Sequence, residues 1–156
     1  MPHGIDPAVE PVLRIIVLTM DRPASLKRLL VSLTEADYEG DRVDLDIWID
    51  RANDTDIAEN IIQSMASTAR ECHWPFGVRT IHKREHNAGL YEQWIYSWNV
   101  TDESTETAVI LEDDLQVSPF FYVWLKRARV HYHLDPSVAA FTLQRGELRP
   151  RRPKDA

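Results

Sequence analysis

The sequence contains a single cysteine, Cys72, so it can form no intrachain disulfide and has none of the thiolate clusters that hold structural zinc. A lone thiol of this kind reads as a buried free cysteine. Long apolar runs are also missing. The longest, Ile15-Ile16-Val17-Leu18, is far short of the roughly 20 residues needed to cross a bilayer, and Asp6 and Glu10 ahead of it do not make a basic signal-peptide flank. No membrane segment is expected, and the sequence as written reads as soluble. Basic residues are in deficit: 18 Lys and Arg stand against 25 Asp and Glu, a net charge of -7, which is the wrong sign for a phosphate-backbone binder. No nucleic-acid partner is expected, and the basic run from Arg149 to Lys154 is broken by proline and reads as a solvated tail. There are only five glycines, and none follows the first apolar run, which excludes a P-loop or dinucleotide-binding loop there. Gly-x-Ser-x-Gly is absent too, so a Ser-His-Asp hydrolase is not indicated.

What is present fits one α/β domain. A chain of 156 residues can bury about two-thirds of its unfolded surface and fold without metal or disulfide staples. Residues 13–145 form the expected domain, with an N-terminal arm at 1–12 and the basic tail at 146–156. Leu13 to Thr19 predicts a strand buried on both faces, ended by Asp21-Arg22-Pro23. Leu26, Leu29, Leu30 and Leu33 then repeat at helical spacing, with Pro23 and Ser25 marking the start and Gly40 the end. Val43, Leu45, Ile47 and Ile49 alternate with Asp44, Asp46, Trp48 and Asp50, which predicts a half-polar strand near a sheet edge. Ile57, Ile61, Ile62 and Met65 predict a second helix capped by Asp54 or Thr55, and Gly77 to His82 a third strand. Leu90, Trp94, Ile95 and Trp98 space a third helix, in which the two tryptophans read as core. Ala108 to Leu111 predicts a strand, Pro119 to Arg129 a helix, and Val138 to Leu143 a last strand. Alternation of this kind implies a mainly parallel sheet with helices on its faces and ligands beyond its carboxyl edge.

That edge collects the polar groups following each strand: Asp21-Arg22, Asp50-Arg51, the stretch His82 to Asn87, and Glu112-Asp113-Asp114. Three acids at one strand end repel each other unless a cation or strong donors offset them. Oxygen ligands favour Mg²⁺ or Mn²⁺, which takes one or two carboxylates and leaves its other positions to water and substrate phosphates. Arg22 is placed to pair with a phosphate oxygen. The same spacing also suits simple capping by Asp113 and Asp114 and a surface ion pair for Arg22. A response-regulator receiver would need paired acids after the first strand, where Asp21 stands alone. His131 and His133 read as exposed residues at a helix end, and the sequons at Asn53 and Asn99 carry little information.

Three stretches carry a family resemblance: Ile15 to Pro23 with Leu26, Arg28 and Leu29; His86 to Gln93; and Val109 to Phe121, where a strand ends in Glu-Asp-Asp and leads through Pro119 into an aromatic-rich helix. Together they resemble the GT-A glycosyltransferases, specifically the N-acetylglucosaminyltransferase I family (glycosyltransferase family 13), over its donor-binding N-terminal half. Asn87-Ala88-Gly89-Leu90 also resembles the Asn-x-Gly segment of family 2 transferases. The resemblance implies a truncated GT-A three-layer sandwich that binds a UDP-sugar, UDP-GlcNAc by preference, for inverting transfer to a hydroxyl of a glycan or protein acceptor. It implies that Asp114 coordinates Mn²⁺ (or Mg²⁺), that Glu112 and Asp113 contact the donor sugar and ribose, that Arg22 contacts the UDP, that Asp50 reads the uracil edge, and that His86 lies in the donor site. The family's general base lies beyond the strand at 138–143, so no catalytic base is assigned. Location in the Golgi lumen follows from the family, or in the cytoplasm if the chain is complete as written. An inactive nucleotide-sugar-binding module and a nucleotidyltransferase remain open alternatives.

Overall fold

The computed structural model describes residues 13–53, 55–98, 107–138 and 140–142. Strands and helices alternate without exception: β1 (Leu13–Thr19), α1 (Pro23–Thr34), β2 (Val43–Ile49), α2 (Thr55–Glu71), β3 (Arg79–Lys83), α3 (Gly89–Tyr96), β4 (Thr107–Glu112) and α4 (Phe121–Tyr132). The expected arm, the basic tail, Asp54 and the second sequon lie outside the described residues. The strands form one sheet in the order β3-β2-β1-β4, and every pairing is parallel. The α/β class and parallel sheet expected from the sequence are therefore the fold observed. Among the described residues no helix is long and apolar enough to cross a membrane.

The sheet's two faces differ in chemistry. Strand alternation turns Leu13, Ile15 and Val17 to one side with Val43, Leu45, Ile47, Ile49, Val109 and Leu111. There they meet Leu26, Leu29, Leu30 and Leu33 of α1, Ile62, Met65, Ala66 and Ala69 of α2, and Phe121, Tyr122 and Leu125 of α4 in one aliphatic core. Pro23 opens α1 at a position where its missing N–H costs nothing. The helix ends at Thr34, ahead of the turn through Glu39 and Gly40, both at positive φ. On α2 the buried stripe runs through Ala58, Ile62 and Met65, while Ile57 is exposed.

The other face carries charge. Arg14 Nη1 lies 2.8 Å from Asp46 Oδ2, Arg42 Nη2 3.1 Å from Asp44 Oδ2, and His82 Nε2 3.4 Å from Asp46 Oδ1. The Val78 N–H donates to Asp44 Oδ1 at 2.9 Å. This network corrects the expectation that β2 sits near an edge: β2 is internal, between β1 and β3, and its aspartates are satisfied by neighbouring strands and loops rather than by water. Towards the carboxyl end Trp48 stacks on His82 with ring centroids 3.9 Å apart, and the Arg84 guanidinium lies 4.4 Å from the Trp48 ring. α3 lies against this end, joined through Arg84 Nε, which donates to Gln93 Oε1 at 3.2 Å.

Two further expectations change. Cys72 is half-buried rather than buried, and burial pushes its thiol pKa up, away from a reactive thiolate. The stretch after α4 is not a strand at residues 138 and 140–142, with 139 and 143 outside the described residues. A turn precedes it, in which Asp135 Oδ1 accepts from the N–H and hydroxyl of Ser137, and Phe141 packs its ring against Trp124 and Tyr132.

One glycine is fixed by space. A Cβ on Gly77 would be driven into the Val43 carbonyl and to 2.5 Å from Asp44 Oδ1, and the Val43 backbone has little freedom to retreat. Gly77→Ala is expected to destabilise the fold by about 1–3 kcal/mol, as overpacking does. A denaturant-unfolding midpoint equal to that of the parent chain would contradict this account.

Candidate functional site

Because all four strands are parallel, their carboxyl ends share one edge. Strand order reverses between β1 and β4: the chain runs outward from β1 through β2 to β3, then returns to pair β4 on the other side of β1. Such a switch point leaves a crevice where the loops after two neighbouring strands diverge, and α/β folds bind ligands there. Arg22 follows β1 and Glu112-Asp113-Asp114 closes β4, so the sequence-predicted cation and acids meet at this crevice.

Asp113 is the buried member, at 1% exposure. Its N–H donates to the Leu18 carbonyl at 3.2 Å, and its Oδ2 accepts from the Thr19 hydroxyl at 2.5 Å. Arg22 Nη2 lies 2.6 Å from Oδ1, a charge contact without hydrogen-bond alignment, so that oxygen stays unsatisfied. Burial pushes the Asp113 pKa up. The Thr19 hydrogen bond and the Arg22 charge pull it down, and the nearby charges of Asp114 and Asp21 add to the upward push. Arg22 Nη1 also reaches Asp114 Oδ2 at 3.4 Å, and the side chains of Arg22 and Asp114 are 52% and 51% exposed. Both therefore face solvent at the rim, with capacity for further partners.

Glu112, half-buried, accepts a hydrogen bond from the indole N–H of Trp94 at 3.2 Å. This corrects the reading of Trp94 as core: the residue is 40% exposed, and α3 turns its indole N–H toward Glu112 at the end of β4. Trp98 is half-buried. Asp50 is buried and turned to the chain's own backbone, where Oδ1 accepts from the Ala88 and Arg51 N–H groups and Oδ2 from Gly89. The Asn-x-Gly segment thus has a structural job: Asn87 Nδ2 donates to the Arg51 carbonyl at 2.6 Å, and Gly89, at φ 70°, starts α3 in a conformation that suits glycine. Asp50 supplies the negative charge that the start of α3 favours. His86 is exposed in the bend between β3 and α3. His131 and His133 are exposed at the end of α4, as expected.

Sequence reasoning missed a group of polar atoms under α3. Trp48 Nε1, Arg84 Nη2, Gln93 Nε2 and Ser97 Oγ are buried without partners, each at a cost of about 1–3 kcal/mol if left dry. Their residues are scattered over β2, the β3–α3 loop, α3 and its C-cap, and no local spacing marks them.

For a divalent cation the fit is partial. No three carboxylate, imidazole or thiol groups converge among the described residues, so the protein alone provides no cage. One exposed carboxylate, Asp114, does match a cation that takes most of its ligands from water and a diphosphate. The carboxyl edge is an open ledge. Two clefts accompany it, one between α1 and the end of α2 around Leu30 and Cys72 and another beside the end of β4, lined by Leu111, Leu115, Phe120 and Trp124.

The fold is α/β and GT-A-like, built on a parallel four-stranded sheet. Two crystal structures of TarS from S. aureus superpose on it with TM-scores of 0.52 and 0.54 at 13% and 14% identity, each over 78% of this chain. The chain spans 20% of the first and 33% of the second, a 1-349 fragment. Residues 24–144 match the model of the SPBC1E8.03c C-terminal domain, and the chain belongs to that family. No curated protein matches it in sequence.

The Asp113 environment has a pH signature. A carboxyl whose pKa is raised on folding binds its proton more tightly in the folded state. Its contribution to stability is then greatest when it is protonated and declines as pH rises from the ordinary carboxylate pKa through the raised one. Asp113→Asn is expected to remove that decline, leaving stability at pH 7 equal to or above that of the parent. Unfolding curves from pH 3 to 8 test this. A variant that loses stability most at pH 7 would show that the pairing with Thr19 and Arg22 outweighs desolvation.

Proposed function

We propose that this chain is the donor-binding part of a metal-dependent, inverting glycosyltransferase that takes a UDP-sugar, with UDP-GlcNAc the first candidate, and delivers the sugar to a hydroxyl of a glycan or protein acceptor. The observation that carries the reading is the meeting of Arg22 with Asp113 and Asp114 at the switch point of a GT-A-like sheet. The Glu-Asp-Asp ending of β4 and its resemblance to glycosyltransferase family 13 give the finer assignment.

In this reading Asp113 is a fixed post. Buried and bonded to Thr19, it holds the Arg22 guanidinium at the ledge while half of that side chain stays open to a diphosphate oxygen. Arg22 then opposes the charge that develops on the departing diphosphate, in a geometry set before the ligand arrives. Asp114, exposed beside it, is the residue that would hold a divalent cation shared with the diphosphate. Such a cation supplies Lewis-acid stabilisation of the leaving group. Glu112, held by Trp94, faces the sugar. Asp50 would act on the base side of the site through the start of α3 that it holds, since its own oxygens accept from the N–H groups of Arg51, Ala88 and Gly89. Inversion requires a base to take the acceptor hydroxyl proton. None of these residues is given that role, since each has a donor-side one.

The test is calorimetric titration of UDP and UDP-GlcNAc into the chain with Mn²⁺ and with EDTA. Binding is expected with metal and to weaken at least tenfold with EDTA. Asp114→Ala is expected to abolish the metal-dependent part with the thermal midpoint unchanged. Metal-dependent binding that survives Asp114→Ala would overturn the metal assignment, and no binding by the folded parent chain in either condition would overturn the donor-site reading. Turnover of a nucleoside triphosphate with release of pyrophosphate would favour a nucleotidyltransferase.

A further inference from the structure

We propose that Trp94 is a specificity residue of this site, positioning Glu112 through its indole N–H and presenting its ring face as the surface on which the hexose of a nucleotide sugar packs. This rests on the donor-site reading above. Three observations support it. Trp94 projects from α3 to within 3.2 Å of Glu112 Oε1, one residue from the buried Asp113, so the ring stands at the acidic end of β4. Trp94 is 40% exposed and lies outside the buried apolar core, although a large aromatic on a helix facing a sheet ordinarily gains by full burial. Finally, the indole N–H donates to Glu112 Oε1, a bond that orders a half-buried carboxylate at the strand end.

The two parts of the side chain divide the work. The N–H occupies one Glu112 oxygen and fixes the carboxylate's plane, leaving the other oxygen to accept from a sugar hydroxyl. The ring face offers flat apolar area to the C–H side of a pyranose, and sites for small ligands combine such aromatic walls with a few fixed polar groups. UDP alone would meet neither part, because both lie beyond the diphosphate contacts of Arg22 and Asp114. The ratio of UDP to UDP-sugar affinity therefore isolates the contribution of Trp94 from that of the rest of the site.

Trp94→Leu, Trp94→Phe and Glu112→Ala are to be compared with the parent chain by calorimetry, using UDP and UDP-GlcNAc with Mn²⁺, and by circular dichroism for folding. UDP affinity is expected to change less than UDP-GlcNAc affinity in all three. In Trp94→Leu the affinity for UDP-GlcNAc relative to UDP is expected to fall at least fivefold. Trp94→Phe, which keeps a ring and loses the N–H, is expected to recover part of that fall. Trp94→Leu combined with Glu112→Ala is expected to cost less than the sum of the two changes, as linked groups do. A Trp94→Leu ratio within twofold of the parent, or equal losses for UDP and UDP-GlcNAc, would overturn the proposal while leaving the donor-site reading standing. No binding of UDP by the folded parent chain would overturn both.

Discussion

The site depends on one buried carboxylate. Asp113 sits at the end of β4 with its backbone tied to Leu18 and its side chain tied to Thr19, so two strands from distant parts of the sequence are fastened where their loops part. An unpaired charge at that depth would be untenable, and the Thr19 hydroxyl and Arg22 guanidinium offset the cost together. The position of Arg22 follows from this need. A long, solvent-facing side chain would otherwise sample many rotamers, but the buried acid fixes its head while leaving one side open.

The carboxylates along the sheet's edge form a graded set. Asp50 is saturated by backbone N–H groups and serves the start of α3. Asp113 is buried and partly satisfied, with one oxygen still without a hydrogen bond. Glu112 has one oxygen held by Trp94, and Asp114 is half in solvent with a long contact to Arg22. Availability to an outside ligand rises along that series as the number of internal donors falls. The charged side of the sheet follows the same rule: Asp44 and Asp46 are acceptable within β2 because Arg14, Arg42, His82 and the Val78 N–H meet them there.

Much of this was legible in the sequence, for reasons that differ by element. The leucine spacing of α1 and the unbroken apolar run of β1 each bury one regular surface, so periodicity alone revealed them. The acids of β4 and Arg22 were found as polar residues closing apolar strands, and topology brought them together. The edge placement of β2 was misread because alternation records which residues are polar and not whether water or an arginine satisfies them. Trp94 was misread for a related reason: helical spacing puts it on a stripe with Leu90, Ile95 and Trp98, but nothing in spacing shows that α3 has no full apolar partner beneath it. The apolar Val138–Leu143 stretch resembles a strand in composition, yet Phe141 is used for packing on α4. The buried donors under α3 left no sequence signal, since they arise from three segments that meet only in the fold.

The anchoring of α3 has a geometric consequence. Asp50 grips the helix at Ala88 and Gly89, and Trp94 leaves it five residues later to hold Glu112. At 1.5 Å per residue the helix sets about 7–8 Å between those two stations along its axis. It acts as a ruler whose zero mark is the end of β2 and whose reading is the end of β4, on the far side of β1. Loops of the same length would allow that interval to breathe. A hydrogen-bonded helix holds it more closely, so the spacing between the grip on Asp50 and the hold on Glu112 is set within α3 itself.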